Sequence, residues 1–231
     1  MMEGKICSIC KIPIKENFCS RCGQKSSEKP TSVISLLTDF LSNFFSLEKS
    51  GFATILKILK DPKTIVNNYY FGFKNYYASP GKLLLYGIAV IALHLTFVNE
   101  KLMGLSLNAE NISAQYLFWL FMFPILLFSS FVTFIRAEKH LSKHIISIIY
   151  VASSLFIALT ILNDTIILIF GDKIGLWAFI AFVSLSFFWN SRVFTTNKNY
   201  IYIILNTIIQ IAVFISIIGV FMWITNQLKS G

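Results

Sequence analysis

The four cysteines of the chain fall as Cys7-Ser-Ile-Cys10 and Cys19-Ser-Arg-Cys22. Two C-x2-C pairs supply four thiolates, the number that closes a tetrahedron on one ion. Soft sulfur donors in that geometry select zinc ahead of iron. A site whose four ligands all come from protein is structural, not catalytic. The expectation is one structural Zn2+ on Cys7, Cys10, Cys19 and Cys22, in a small zinc ribbon over residues 1–25. Two disulfides are the competing fate, and paired C-x2-C motifs argue for metal. A module this small lacks a core of its own, so metal binding would supply its folding free energy. Gly23 follows the second pair, where a tight turn aims backbone N–H groups at sulfur; Lys11 stands at the same place after the first pair. Phe18 is expected to provide the apolar cap. Lys5, Lys11, Lys15, Arg21 and Lys25 make the module basic. Docking of a protein partner or structural capping is favoured over nucleic-acid binding.

The other candidates for chemistry are polar residues within apolar runs, which in a membrane protein are functional suspects. His94 lies in one such run, Asn163-Asp164 at the end of another or mid-way in it if that run continues to Phe170, and Asn206 and Gln210 in a third. Together His94, Asp164, Asn206 and Gln210 are candidates for a polar pathway. The competing readings are a packing histidine for His94 and a helix end at the outer surface for Asp164. For Asn206 and Gln210 the competing reading is hydrogen bonding between helices. His140 and His144 share a helix face near Glu138, a spacing that suits a metal or a proton relay. The nearby Arg136, Lys139 and Lys143 oppose a cation there. The chain has no nucleophile elbow, HExxH, P-loop or G-x-G-x-x-G, and its 11 acidic residues are scattered. It is expected not to be an enzyme.

The elements that must hold these residues are membrane helices. Of the 231 residues 55% are hydrophobic and only 13% charged, and the mean hydropathy is +0.68. Several apolar runs are long enough to cross a hydrocarbon core of about 30 Å. Five spans are expected, near 83–98, 116–135, 145–162, 174–189 and 200–224, within a transmembrane region 83–228. Pro124 should kink the second. Residues 1–30 contain no apolar signal-peptide core, so the first span is expected to direct insertion. Segments 1–82, 136–144 and 190–199 carry 12, 3 and 2 of the 20 Lys and Arg. Segments 99–115, 171–173 and the tail carry one each. The positive-inside rule then sets the N-terminus in the cytoplasm and the C-terminus outside, in the inner membrane of a cell. The same bias accounts for the net charge of +9 without nucleic acid. A reducing cytoplasm in turn favours metal-bound thiolates over disulfides.

Between the ribbon and the first span come a polar linker, 26–32, and a segment, 33–82, that reads as amphipathic interfacial helices. Val33, Leu36, Leu37, Phe40, Leu41, Phe44 and Phe45 follow helical spacing. A second helix is expected over Phe52–Lys60, stopped by Asp61-Pro62, and a third over Lys63–Tyr70. Lys57, Lys60, Lys63, Lys74 and Lys82 are expected to face anionic lipid, with Tyr69 and Tyr77 at headgroup depth. A partner-binding groove is the alternative.

Phe18-Cys19-x2-Cys22-Gly23-Gln24 is followed by Thr54, Leu56, Leu59 and Pro62, then by Tyr69-x2-Gly72-x-Lys74-x2-Tyr77-x2-Pro80. On these residues the chain resembles a bacterial membrane family known as domain of unknown function 3667. The resemblance implies a ribbon followed by a membrane domain and carries no activity. Lys74 stands where that family usually has Arg, so a bidentate anion contact does not carry over to it. The five-span layout is also similar to Yip-type membrane proteins, at the level of architecture alone. The reading is an all-α polytopic bundle behind a zinc ribbon, serving as a scaffold or adaptor that binds a protein partner or anionic lipid. The alternative is a transporter or channel subunit.

Overall fold

A computed structural model of the chain describes residues 5–7, 10–14, 19, 21, 32–34, 36, 51–73, 77–98, 102–103, 113–171, 176–196 and 199–230. Cys22, Lys74, most of the linker and most of the first amphipathic segment lie outside the described residues. Two strands, β1 (Lys5–Ile6) and β2 (Pro13–Ile14), pair antiparallel with Lys5 opposite Ile14. Among the described residues seven helices with defined bounds follow. Two are short: α1 (Gly51–Lys60) and α2 (Pro62–Tyr70). Five are long: α3 (Pro80–Phe97), α4 (Ser113–Phe134), α5 (Leu141–Phe170), α6 (Leu176–Phe194) and α7 (Tyr200–Ser230).

Four of these, α3, α5, α6 and α7, are long and apolar enough to cross a membrane. In α4, which contains Pro124, the apolar stretch Phe121–Phe134 is shorter. The expected spans lie close to the five long helices, passing the ends of α3 and α4 by one residue each and starting two residues before α6, and the third differs most. α5 runs for 30 residues, about 45 Å of helix. Asp164 therefore sits within it, six residues before Phe170, and not at its end.

α5 is the central element, packed against α1, α2, α3, α4 and α6, while α7 packs on α4 and α6. Its most apolar window is 67% buried against 22% for α7. Ile201, Ile204, Leu205, Ile208 and Ile215 of α7 are exposed. A helix that is apolar all round needs apolar surroundings, and for α7 these are lipid.

Capping chemistry sets where the short helices begin. Asp61 accepts from the Thr64 backbone N–H at 3.3 Å and from its hydroxyl at 2.6 Å. Pro62 then starts α2, where its missing N–H costs nothing. Gly72, at φ 86°, turns the chain after α2, a left-handed conformation that glycine adopts without strain. Ser79 caps α3 ahead of Pro80.

These short helices are fastened to one end of the bundle, called proximal below. Lys63 Nζ donates to the Thr195 carbonyl at 3.0 Å, beyond the end of α6. Trp189 Nε1 donates to the Leu59 carbonyl at 2.9 Å, and Tyr150 to the Ala78 carbonyl at 2.7 Å. Tyr69 packs edge-on against Tyr150, and Tyr77 accepts from Asn68. Tyr69, Tyr77 and Lys82, expected at the lipid surface, are instead at most 6% exposed. Tyr69 and Tyr77 satisfy packing and hydrogen bonding inside the protein. Lys63 is turned toward a helix-end carbonyl, where a cation is favoured. Lys57 and Lys60 are exposed as expected.

A tight approach between helices is at Gly87 of α3. A Cβ there would lie 2.9 Å from Trp119 Cζ2. Trp119 is buried and stacked on Phe156 at 3.8 Å, so it has little room to move. Gly87→Ala is expected to destabilise by about 1–3 kcal/mol through overpacking, against the roughly 1 kcal/mol that alanine gains as a helix former. The midpoint of thermal unfolding in detergent should fall; a rise would show that the Trp119 ring gives way.

Candidate metal centre and buried polar clusters

The hairpin turn between β1 and β2 brings Cys7 and Cys10 together. The Cys10 backbone N–H points at Cys7 Sγ at 3.5 Å, and the Lys11 N–H donates to the Cys7 carbonyl at 2.9 Å. Lys11 has φ 59°. This is the left-handed position that glycine takes after a C-x2-C pair, and here a lysine adopts it. Cys19 completes a cluster whose three Sγ atoms lie within 4.8 Å of one another. Cys7 and Cys19 are buried and Cys10 is partly exposed. Three sulfurs so placed can hold a metal ion, and the N–H to sulfur contact suits a thiolate. Cys22, the fourth expected ligand, lies outside the described residues.

Phe73, in the turn between α2 and α3, packs on Cys7, Ile14 and Cys19, with Cys10 and Ile12 alongside. The cysteine module is thus seated on the turn that joins the two short helices to the first long helix. Phe18, the expected apolar cover, lies outside the described residues; among the described residues Phe73, 54 positions after Cys19, covers the cluster. No local spacing could have announced it.

Two further clusters lie inside the bundle. The proximal one joins four helices through Asn190 of α6. Asn190 Nδ2 donates to Ser130 Oγ at 2.8 Å and to Gln210 Oε1 at 2.7 Å. Its Oδ1 accepts from Ser147 at 2.7 Å. Gln210 Nε2 donates to Ser191 Oγ at 2.6 Å and to the Phe187 carbonyl at 3.2 Å. Asn206 donates to Thr195 Oγ1 at 3.0 Å. His144 is fully buried, stacked on Phe194 at 4.3 Å. Its Nε2 meets the Glu138 carbonyl and its Nδ1 meets Ser130 Oγ, each at 3.0 Å. A carbonyl only accepts, so Nε2 carries the proton and Ser130 donates to Nδ1. Both ring nitrogens are occupied, and His140 is directed elsewhere, to Glu138. The two histidines do not converge on a site.

The distal cluster joins α3 to α5. His94 Nδ1 lies 2.8 Å from Asp164 Oδ1, with side-chain exposures of 0% and 15%. Asn163 Nδ2 reaches the same oxygen at 3.4 Å. Of the four residues suspected of one polar pathway, the structure therefore pairs His94 with Asp164. It places Asn206 and Gln210 in the separate proximal network.

Beside the proximal cluster, Glu138 accepts from His140 at 2.7 Å and from Lys143 at 3.0 Å. Burial raises its pKa, but the hydrogen bonds from His140 and Lys143 outweigh this. They bring it from the usual 4.5 to about 2. Scans of protein-family models, of curated proteins and of solved structures find no match to this chain.

Three outcomes follow from this geometry. Cys7→Ser and Cys19→Ser should each lose bound metal, measured by elemental analysis of the purified chain. Lys11→Gly should relieve left-handed strain of about 1 kcal/mol and make the metal harder to remove with chelator. A depressed carboxyl pKa contributes stability above about pH 4.5 that is lost as pH falls toward 2. Acidification through that window should lower the unfolding midpoint of the wild type more than that of Glu138→Gln.

Proposed function

We propose that the chain is a non-enzymatic membrane scaffold. In this reading all five long helices cross the membrane, α4 included. The proximal end, with the cysteine module, faces the cytoplasm, where 17 of the 20 Lys and Arg would then lie. The module binds one structural Zn2+, since sulfur donors select zinc and a reducing cytoplasm keeps them as thiolates. The resemblance of residues 7–24 and 51–82 to the family of unknown function agrees with this layout.

The observation that carries the reading is the outward side of α1. Its inner side, Gly51, Thr54, Ile55 and Ile58, is buried against the bundle. Its outer side presents Phe52, 74% exposed, and Leu56, 53% exposed, beside the exposed Lys57 and Lys60. Large apolar groups interleaved with lysines suit an anionic lipid surface. The neighbouring cysteine module, held by Phe73, offers a rigid basic element to a protein partner. A transporter reading that joins His94, Asp164, Asn206 and Gln210 in one path draws no support from their separation into two clusters.

The test is crosslinking in cells followed by mass spectrometry, at matched membrane levels. The wild type should capture a defined set of neighbours. Cys19→Ser should lose a protein from that set, while Asp164→Asn should keep all of them. A set identical in wild type and Cys19→Ser would remove the docking role from the module. Charge reversal of Lys57 and Lys60 should separately reduce crosslinking to anionic lipid.

A further inference from the structure

The two polar clusters are built from the same kinds of residue and differ in one respect. In the proximal cluster the side-chain nitrogens and oxygens of Asn190, Gln210 and His144 all have partners. It holds helices together and offers nothing to a ligand. In the distal cluster His94 Nε2 and Asn163 Oδ1 are buried with no partner, as is Thr160 Oγ1, one turn before Asp164 on α5. His94, Asn163 and Thr160 are each at most 2% exposed. Orphaned polar atoms in a low-dielectric interior cost several kcal/mol each. Three of them beside a buried carboxylate–imidazole contact mark a place that receives something.

What it receives follows from the polarity of the atoms. Asp164 accepts at Oδ1, so with a neutral ring His94 carries its proton on Nδ1 and leaves a lone pair on Nε2. Asn163 Oδ1 is an acceptor. The cluster then presents two acceptors, the Thr160 hydroxyl and one negative charge, with no Lys or Arg in contact with Asp164 among the described residues. Among the described residues, His94 and Asp164 share the distal halves of α3, α4, α5, α6 and α7 with two other ionisable residues, Tyr116 of α4 and Lys229 near the end of α7. Lys82, Tyr86, Lys143, His144 and Arg192 all lie toward the proximal end. We propose that the His94–Asp164 couple, with Asn163 and Thr160, is an intramembrane proton-binding site that exchanges through the exposed edge of Asp164.

The step balances simply. One proton adds to the Nε2 lone pair of neutral His94. The imidazolium and the Asp164 carboxylate become a net-neutral pair, and Nε2 changes from acceptor to donor. Release returns the same proton. This site is independent of the scaffold reading, which needs no titration within the bundle.

The chain has three histidines, His94, His140 and His144, so its imidazoles can be resolved individually. The test uses the full chain, labelled with 15N-histidine and reconstituted in lipid bilayers, observed by solid-state NMR between about pH 8 and pH 5. His94→Gln assigns the signal. The expected result is a reversible conversion of His94 from the neutral Nδ1–H form to the imidazolium, lost in Asp164→Asn and kept in Glu138→Gln. Wild-type His94 signals that stay fixed across this range would overturn the proposal, whatever the variants do. A conversion unchanged in Asp164→Asn would also overturn it, because the ring would then titrate without its partner. Signals that respond to exchange of sodium for choline at constant pH would assign the site to a metal cation instead and reject the proton.

Discussion

The membrane interior withholds water, and the buried sides of α5 are organised by that constraint. A side-chain amide inside a bundle must find its partners in other helices. Asn190 does so with three side chains from three helices, Ser130, Ser147 and Gln210. Each hydrogen bond of this kind contributes only about 0.6 kcal/mol on average in membrane proteins. Their larger effect is on register. Sliding α6 along its axis by one residue would strand Asn190, Gln210 and Ser191 together, and take Phe194 from its stack on His144. Apolar packing alone is tolerant of such slips, since lipid tails and leucine side chains are alike. The network makes one arrangement of α4, α5, α6 and α7 distinctly better than its neighbours.

The same constraint explains which parts of the structure were legible in the sequence. Long apolar runs interrupted by polar segments leave few alternatives, so the five long helices fall close to the expected spans. Helix stops were legible where a residue type enforces them, as at Asp61-Pro62. The cysteine cluster was legible because C-x2-C is a local geometry. What could not be read was which apolar surroundings an apolar side faces. Tyr69, Tyr77 and Lys82 have the residue types of a headgroup layer, and the structure turns them into the bundle. Amphipathic spacing reports that a face is apolar and does not distinguish lipid from protein. Partners distant in sequence were equally hidden, as Phe73 is for Cys19, Trp189 for Leu59, and Lys63 for Thr195. The length of α5 was underestimated because Asn163-Asp164 resembles a helix end, whereas His94 supplies the partner that lets the helix continue through it.

Seating the cysteine cluster on Phe73 has a mechanical consequence. The turn that carries Phe73 begins at Gly72, just after Tyr69 and Tyr70, and leads to Ala78 and the Ser79 cap of α3. Tyr69 packs on Tyr150, and Tyr150 donates to Ala78, so both flanks of the turn are tied to the same residue of α5. Ala78 also donates its N–H to Thr54 of α1. A module of this size has no independent core, and here part of its apolar support comes from the membrane domain. Metal binding and the position of the turn are therefore linked. Whatever stabilises the thiolate cluster also stabilises Phe73 in its seat, and the reverse holds by the same thermodynamic reciprocity.

That linkage stops short of the distal cluster. Asp164 lies 14 positions beyond the Tyr150 anchor on α5, about 21 Å along the helix axis, and the intervening stretch is packed largely with apolar side chains such as Phe156 and Ile157. Ser153 and Ser154 fall in this stretch as buried hydroxyls without partners, and they do not form a hydrogen-bonded chain to either cluster. The proximal cluster has its side-chain partners filled, and the distal pair is open, with no Lys or Arg against Asp164 among the described residues. Coupling between the two ends would require α5 to move as a body. Its contacts with α1, α2, α3, α4 and α6 make it the one helix through which such a movement would reach nearly every other element.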